Sequence, residues 1–344
     1  MNRLVRRALA ALRRDSRPVR RHPTLWLSVS AVALGVALLA GGALGAVRVP
    51  LQDLPRAALD PLHPAHAVLW RVRLPRLTGA VLVGAALAVA GTLMQAVVRN
   101  PLADPGLLGV TAGAGLGGLL AIILVPQRPI LVPLTAFVGG LLAVATVLAA
   151  AAAGRRHMGP LRLLLSGVGV QAILFSLIAL VTFAFADRAP AFIAFTVGSL
   201  NGVGWDRTAL VVGPIVLGCM LALVARRPLD VMLLDDDSAA GVGLGVRGAR
   251  IAAACLAAWL AAAAASAAGL LAFVGLVVPN WMRLLVGPGH GALLPLAMVA
   301  GAALLVVADT IARTLLAPLE LPVGALLAFI GGPYFLFVLW RKLP

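Results

Sequence analysis

The chain has 344 residues, 62% of them hydrophobic and only 12% charged, with a mean hydropathy of +1.04. A water-soluble domain is about half apolar and a quarter charged, so this composition excludes one and defines an integral membrane protein. The net charge of +16 sits in short arginine clusters beside apolar runs: Arg3 to Arg21, Arg155–Arg156–Arg162, Arg226–Arg227, Arg247–Arg250 and Arg341–Lys342. Such clusters mark cytoplasmic flanks of membrane spans and give no support to a nucleic-acid partner.

The apolar runs are rich in Ala, Leu, Val and Gly and lack period-2 alternation. That predicts a helical bundle, since a barrel strand needs about 9–11 alternating residues and a spanning helix about 20. Ten spans follow in chain order: 25–46, 75–98, 107–125, 131–153, 160–185, 208–225, 250–268, 270–286, 291–312 and 323–341. The first is read as retained, because its apolar run exceeds the roughly 7–15 residues of a signal-peptide core. The expected organisation is a basic cytoplasmic tail, 1–24, followed by one membrane domain, 25–344. Cys219 and Cys255 lie inside apolar runs and read as small buried packing residues.

An even number of spans puts both termini on one side, and their arginines assign that side to the cytoplasm. The inner connections become 99–106, 154–159, 226–249 and 287–290, so Arg155, Arg156, Arg226, Arg227, Arg247 and Arg250 face inward. The arginines of RVRLPR (71–76) and Arg313 face outward, against the rule. AGTLMQAVVRNP (90–101) echoes AGLLAFVGLVVPN (268–280) in spans of opposite direction, which makes an inverted repeat plausible.

The chain carries no phosphate loop, and GVTAGAGLGG (109–118) opens a membrane helix, where small residues serve close packing. No HExxH, GxSxG or paired-carboxylate pattern occurs, and the five histidines fall in loops or tails, so neither catalysis nor a metal site is expected. Asp309 is the one acidic residue within a span. Arg313 stands one turn later, which predicts a local ion pair; the competing reading makes Asp309 the proton carrier of a gradient-driven secondary transporter. In the long connection 226–249, Val231, Met232, Leu233 and Leu234 would be awkward free in water, so a short docking helix is expected, with a second starting at 236–238.

MQAVVRNPLADPGLLG (94–109) reads as a corner between two spans. Pro101 and Pro105 forbid a continuous helix, Asn100 and Asp104 can cap freed backbone groups, and Arg99 marks the membrane edge.

RLPRLTGAVLVGAALAVAGTLMQAVVRNPLADPGLLGVTAGAGLG (73–117) resembles the signature of the FecCD/BtuC-type permeases, the iron-siderophore, haem and vitamin B12 family of ABC importers. FVGLVVPNWMRLLVG (273–287), GAALLVVADTIAR (301–313) and LELPVGALLAFIGGPYFLFVLWR (319–341) resemble its C-terminal motifs, in order and with matching spacing. The resemblance implies an all-α type II importer permease of ten helices in a bacterial cytoplasmic membrane. It pairs with a second copy or a paralogue, two separate ATPase subunits that bind ATP-Mg, and a substrate-binding protein; the chain itself binds no cofactor and is not an enzyme.

It further implies that Arg73, Arg76 and Arg313 dock glutamates of the binding protein. Two coupling helices at about 229–247, including Leu233, Leu234, Asp235, Asp236, Asp237, Ser238 and Gly243, would enter the ATPase. The pathway would run along the fifth, eighth and tenth spans and an outer helix at 192–202 with Thr196, Ser199 and Asn201. Gln95, Asn100, Pro101, Pro279 and Asn280 would form an inner gate or its supporting corner. Departures from the pattern are Asp235 for a common glycine, Ala240 for a frequent basic residue, Asn280 for the usual histidine, and GPGHG (287–291) for Asp-His-Arg.

Overall fold

A computed structural model describes residues 22–45, 49–153 and 159–342. Arg3 to Arg21, Arg155 and Arg156 lie outside the described residues. The helices are α1 (Pro23–Ala43), α2 (Leu74–Val98), α3 (Val110–Leu124), α4 (Leu131–Ala152), α5 (Pro160–Ala184), α6 (Ala189–Val197) and α7 (Trp205–Val224). They continue with α8 (Arg226–Val231), α9 (Asp236–Gly241), α10 (Val246–Ala268), α11 (Val274–Val286), α12 (His290–Thr314) and α13 (Val323–Lys342). No strand occurs among the described residues.

Among the described residues, seven helices are long and apolar enough to cross a membrane: α1, α2, α4, α5, α7, α10 and α12. The shorter apolar helices α3, α11 and α13 occupy the remaining three expected positions. Pro75 and Pro160 stand in first turns, where a missing N–H costs nothing. The helix α2 is the axis of the bundle, 83% buried along its most apolar stretch, and packs against α7, α10, α11 and α12.

Small residues set these distances. A Cβ on Gly91 of α2 would fall on the Gly275 carbonyl of α11. Pro279 has no N–H with which to occupy that carbonyl, so the two backbones meet closely here. The segments that echo one another in sequence are thus packed face to face. In GVTAGAGLGG, Gly113 meets the Gly139 carbonyl of α4 in the same way, as the packing reading expects.

Three expectations are corrected. The eighth span starts at Val274, not 270, because Gly269 and Phe273 take φ +72° and +70° and break the chain between α10 and α11. The outer helix is Ala189–Val197, not 192–202, and stops at Gly198, whose φ of +76° leaves the helical region. Cys219 is buried, but Cys255 is exposed, because it faces a groove between helices.

Backbone bonds tie the breaks together at one end of the bundle, labelled outer after the orientation expected from charge, with the opposite end labelled inner. Ser199 N–H donates to the Ala268 carbonyl at 2.8 Å, Gly324 N–H to Gly198 at 3.0 Å and Leu321 N–H to Ala312 at 3.0 Å. By contrast α5 is only 11% buried along its span and exposes Leu165, Val168, Ile173, Leu180 and Phe183; α13 exposes Phe329, Ile330, Leu336 and Trp340.

Candidate transport site and coupling segment

At the outer end, Arg76 rises from the first turn of α2 into the bundle. Its Nε lies 3.0 Å from both carboxylate oxygens of Asp309, its Nη2 2.9 Å from Asp309 Oδ1, and its Nη1 2.8 Å from Glu320 Oε2. Arg313 adds a weaker approach, Nε to Asp309 Oδ2 at 3.5 Å. The expected i,i+4 pair therefore exists, but the main partner of Asp309 comes from another helix.

Arg313 and Arg73 donate to the carbonyls of Gly41 and Gly42 at the end of α1. Those carbonyls lack partners within their own helix and carry its negative dipole end, which draws guanidinium groups inward. Arg73, Arg76 and Arg313 are only 3–5% exposed. The three arginines form an internal knot joining α1, α2, α12 and the approach to α13.

Beside the knot lies a cavity of about 640 Å³ between α3, α4, α6, α10 and the 199–207 turn. Ser199, Asn201, Arg207, Ser266 and Glu320 supply its polar lining among apolar Phe195, Pro129 and Pro322. Ser199 and Asn201 thus reach a common space. Thr196 is half-buried and returns its hydroxyl to the Ile193 carbonyl at 3.0 Å. Among the described residues, no three His, Cys, Asp or Glu side chains converge as metal ligands would.

At the inner end, α8 and α9 occupy the long connection as two short pieces: α9 falls within the expected 229–247, while α8 begins ahead of it, at Arg226. Asp235 caps α9 by accepting from Ser238 N–H at 2.9 Å, and those hydrogen bonds hold its carboxyl below the ordinary value. Asp236 is the hub. Its Oδ1 lies 2.6 Å from Arg99 Nη2 and 3.0 Å from Arg250 Nη2. Burial works to raise its pKa, but the hydrogen bond and charge of Arg250, with Arg99, outweigh this and leave it lowered.

Arg99 Nε also donates to the Met232 carbonyl at 3.1 Å, and Asp230 accepts from the His290 backbone at 2.6 Å and ring Nδ1 at 2.9 Å. The segment is therefore pinned to the inner ends of α2, α10 and α12. Met232 is buried, Leu234 half-buried, and Leu233, Asp237, Ser238 and Gly243 are exposed.

The 94–109 corner is fixed from three sides. Asn280 Nδ2 donates to the Pro101 carbonyl at 2.8 Å and to Leu276 at 2.9 Å; Gln171 of α5 donates to Gly106 at 2.7 Å; Gln95 donates to Leu276 at 3.4 Å. Asn100 and Asp104 accept from Leu102 and Gly106 N–H, the local caps their types suggest. Pro279 is buried in α11 beside this junction. Sequence reasoning did not single out Gln171, Asp230, Arg250 or His290 as tie points. The signal for Asp230, Arg250 and His290 is a polar residue at the end of an apolar run, and for Gln171 a lone amide in the middle of one.

A bundle of about ten apolar helices with a polar outer cavity and a pinned two-helix segment at its inner end defines a multi-pass membrane permease. The FecCD transport family model matches residues 33–341, and the chain belongs to that family. It is 38% identical to the hemin transport system permease protein HmuU of Yersinia pestis, over 93% of this chain and 97% of that protein. It is 39% identical to the Fe(3+) dicitrate transport system permease protein FecD of Escherichia coli, over 88% of this chain and 96% of the other. A solved structure described as an inward-facing metal-chelate type ABC transporter superposes with a TM-score of 0.82 at 26% identity, over 93% of this chain and all of that one.

Proposed function

We propose that this chain is the membrane subunit of an ABC importer that carries a metal chelate to the cytoplasm, a ferric siderophore first and haem or cobalamin next. It works beside a second copy or a paralogue in a bacterial cytoplasmic membrane, with both termini inside. Two separate ATPase subunits holding ATP-Mg bind the α8–α9 segment, and a substrate-binding protein delivers the chelate to the outer end. Arg73, Arg76 and Arg313 shape that docking face from within. The chain adds no catalytic group of its own.

The observation that carries this reading is the pinning of α8–α9 by Arg99, Arg250 and His290. A segment so fixed passes any displacement to α2, α10 and α12 together, while exposed Leu233, Asp237 and Ser238 remain free to meet a partner. The unpartnered apolar faces of α5 and α13 supply a surface for the second subunit, with the chelate passing between them. A gradient-driven transporter is not favoured, because Asp309 is enclosed between Arg76 and Arg313 and serves as a fixed counter-ion.

The test is uptake of labelled ferric siderophore, haem and cobalamin in a strain lacking the chain and complemented with it. One chelate accumulates, and only with an ATPase competent in hydrolysis. Uptake that continues with a hydrolysis-dead ATPase and follows the proton gradient rejects the proposal.

A further inference from the structure

A groove of about 640 Å³ lies at the coupling-segment end of the bundle, apart from the outer cavity and from the pathway surfaces of α5 and α13. Its walls are Leu217 and Leu221 of α7, Leu229 and Met232 at the coupling segment, and the α10 face from Gly248 to Trp259. The lining is almost wholly apolar. Along α10 it climbs about 17 Å at ~1.5 Å per residue, more than half the ~30 Å depth of a spanning helix and beyond the reach of a soluble partner. Trp259 closes the top, its indole N–H spent on the Pro214 carbonyl at 2.9 Å.

The rim differs from the walls. Arg226 and Arg227 directly precede the lining residue Pro228, and Arg247 lies between the lining glycines Gly245 and Gly248. All three arginines are exposed, and none takes an ion-pair partner among the described residues. Of the acidic groups at this end, Asp230 is engaged by His290 and Asp236 by Arg99 and Arg250; Asp235 and Asp237 do not line the groove. An apolar slot reaching down into the bilayer under a three-arginine rim matches an acyl chain below a negative headgroup.

We infer that this groove holds one anionic phospholipid of the adjoining leaflet, its acyl chain along α10 and its phosphate at Arg226, Arg227 and Arg247. Because Leu229 and Met232 form part of the wall, the lipid fills the space behind the coupling segment and steadies its position. The choice of leaflet rests on the orientation proposed above; the binding itself requires neither substrate nor ATPase. Its failure is therefore distinguishable from failure of the importer reading.

The full-length chain bearing Cys219→Ala keeps Cys255 as a single thiol inside the groove. Native mass spectrometry with added phosphatidylglycerol or phosphatidylcholine, and maleimide labelling of Cys255 in nanodiscs of each lipid, read occupancy. Phosphatidylglycerol is retained in preference and slows labelling. Replacing Arg226, Arg227 and Arg247 by Gln weakens its retention by roughly fivefold per arginine and leaves phosphatidylcholine unaffected. Gly248→Leu, placed where a Cβ meets nothing within 4 Å, fills the slot and abolishes retention without disturbing helicity by circular dichroism. Equal retention of the two lipids, phosphatidylglycerol retention unchanged in the triple Gln variant, or labelling slowed only by added ATPase subunit overturns the inference.

Discussion

Arg99 Nη2 stands 2.6 Å from Asp236 Oδ1, joining the inner end of α2 to the first turn of α9. Arg99 itself takes φ +54°, so α2 ends abruptly and the side chain leaves the helix toward the coupling segment. The corner at 94–109 is thus the place where the central helix is fastened to the α8–α9 segment. A double-mutant cycle of Arg99→Ala and Asp236→Ala gives a coupling energy of about 0.2–1 kcal/mol, because both groups are partly in water. Uptake falls far more than stability does, while the amount of protein in the membrane stays constant.

Acid releases the same fastening only at low pH. The folded pKa of Asp236 is lowered, so its stabilising effect is complete above the ordinary carboxylate value and disappears as pH falls through the lower, folded one. Hydrogen exchange of the 236–241 amides stays slow across neutral and mildly acid solution and quickens in strong acid. In Asp236→Asn the protection is already reduced at neutral pH.

Removing one member of the outer knot strands a buried charge. Arg76→Ala leaves Asp309, which is fully buried, with only the weaker approach of Arg313 at 3.5 Å. It lowers stability by about 3–5 kcal/mol, read as loss of folded protein on heating in detergent. Arg76→Met with Asp309→Leu recovers much of that loss. A double variant no more stable than Arg76→Ala contradicts the ion-pair account.

Gly91 and Gly35 separate close approach from propensity. Gly91→Ala drives a methyl into the Gly275 carbonyl and costs about 1–3 kcal/mol or more through forced separation of α2 and α11. Gly35→Ala meets nothing within 4 Å and stabilises α1 by up to about 1 kcal/mol. Thermal denaturation of the two variants moves in opposite directions.

Asn280→Leu removes the donor to the half-buried Pro101 carbonyl and costs about 1 kcal/mol through the lost hydrogen bond. Asn280→His, which restores a ring N–H, regains part of it. Limited proteolysis at 99–106 reports the difference.

The ten spans are legible in the sequence because lipid demands long unbroken apolar runs, and charge and proline mark their ends. The start of α11 is not, since Leu270 to Phe273 are as apolar as the helix that follows; only the backbone sign at Gly269 and Phe273 sets the break. The short helices α8 and α9 are legible from hydrophobic residues stranded in a charged loop. Burial of Arg73, Arg76 and Arg313 is not. A count of charges per loop cannot show that the last carbonyls of α1, at Gly41 and Gly42, stand ready to receive them. Asp309 with Arg313 is visible as spacing, but the stronger hold of Arg76 depends on how α2 crosses α12.

The shortness of α11 bears on how the membrane stays closed to ions. Thirteen residues span about 20 Å, against a hydrocarbon layer about 30 Å thick. The missing depth on that side is filled by non-helical chain at 269–273 and 198–202, stitched by the Ser199–Ala268 and Gly198–Gly324 bonds. The seal there is made of main chain against main chain, with little side-chain bulk to spare. For the chelate importer proposed above, any step that parts these segments enough to admit its cargo also opens a route wide enough for hydrated protons, so import without leakage requires the inner end to be shut before the outer stitching yields.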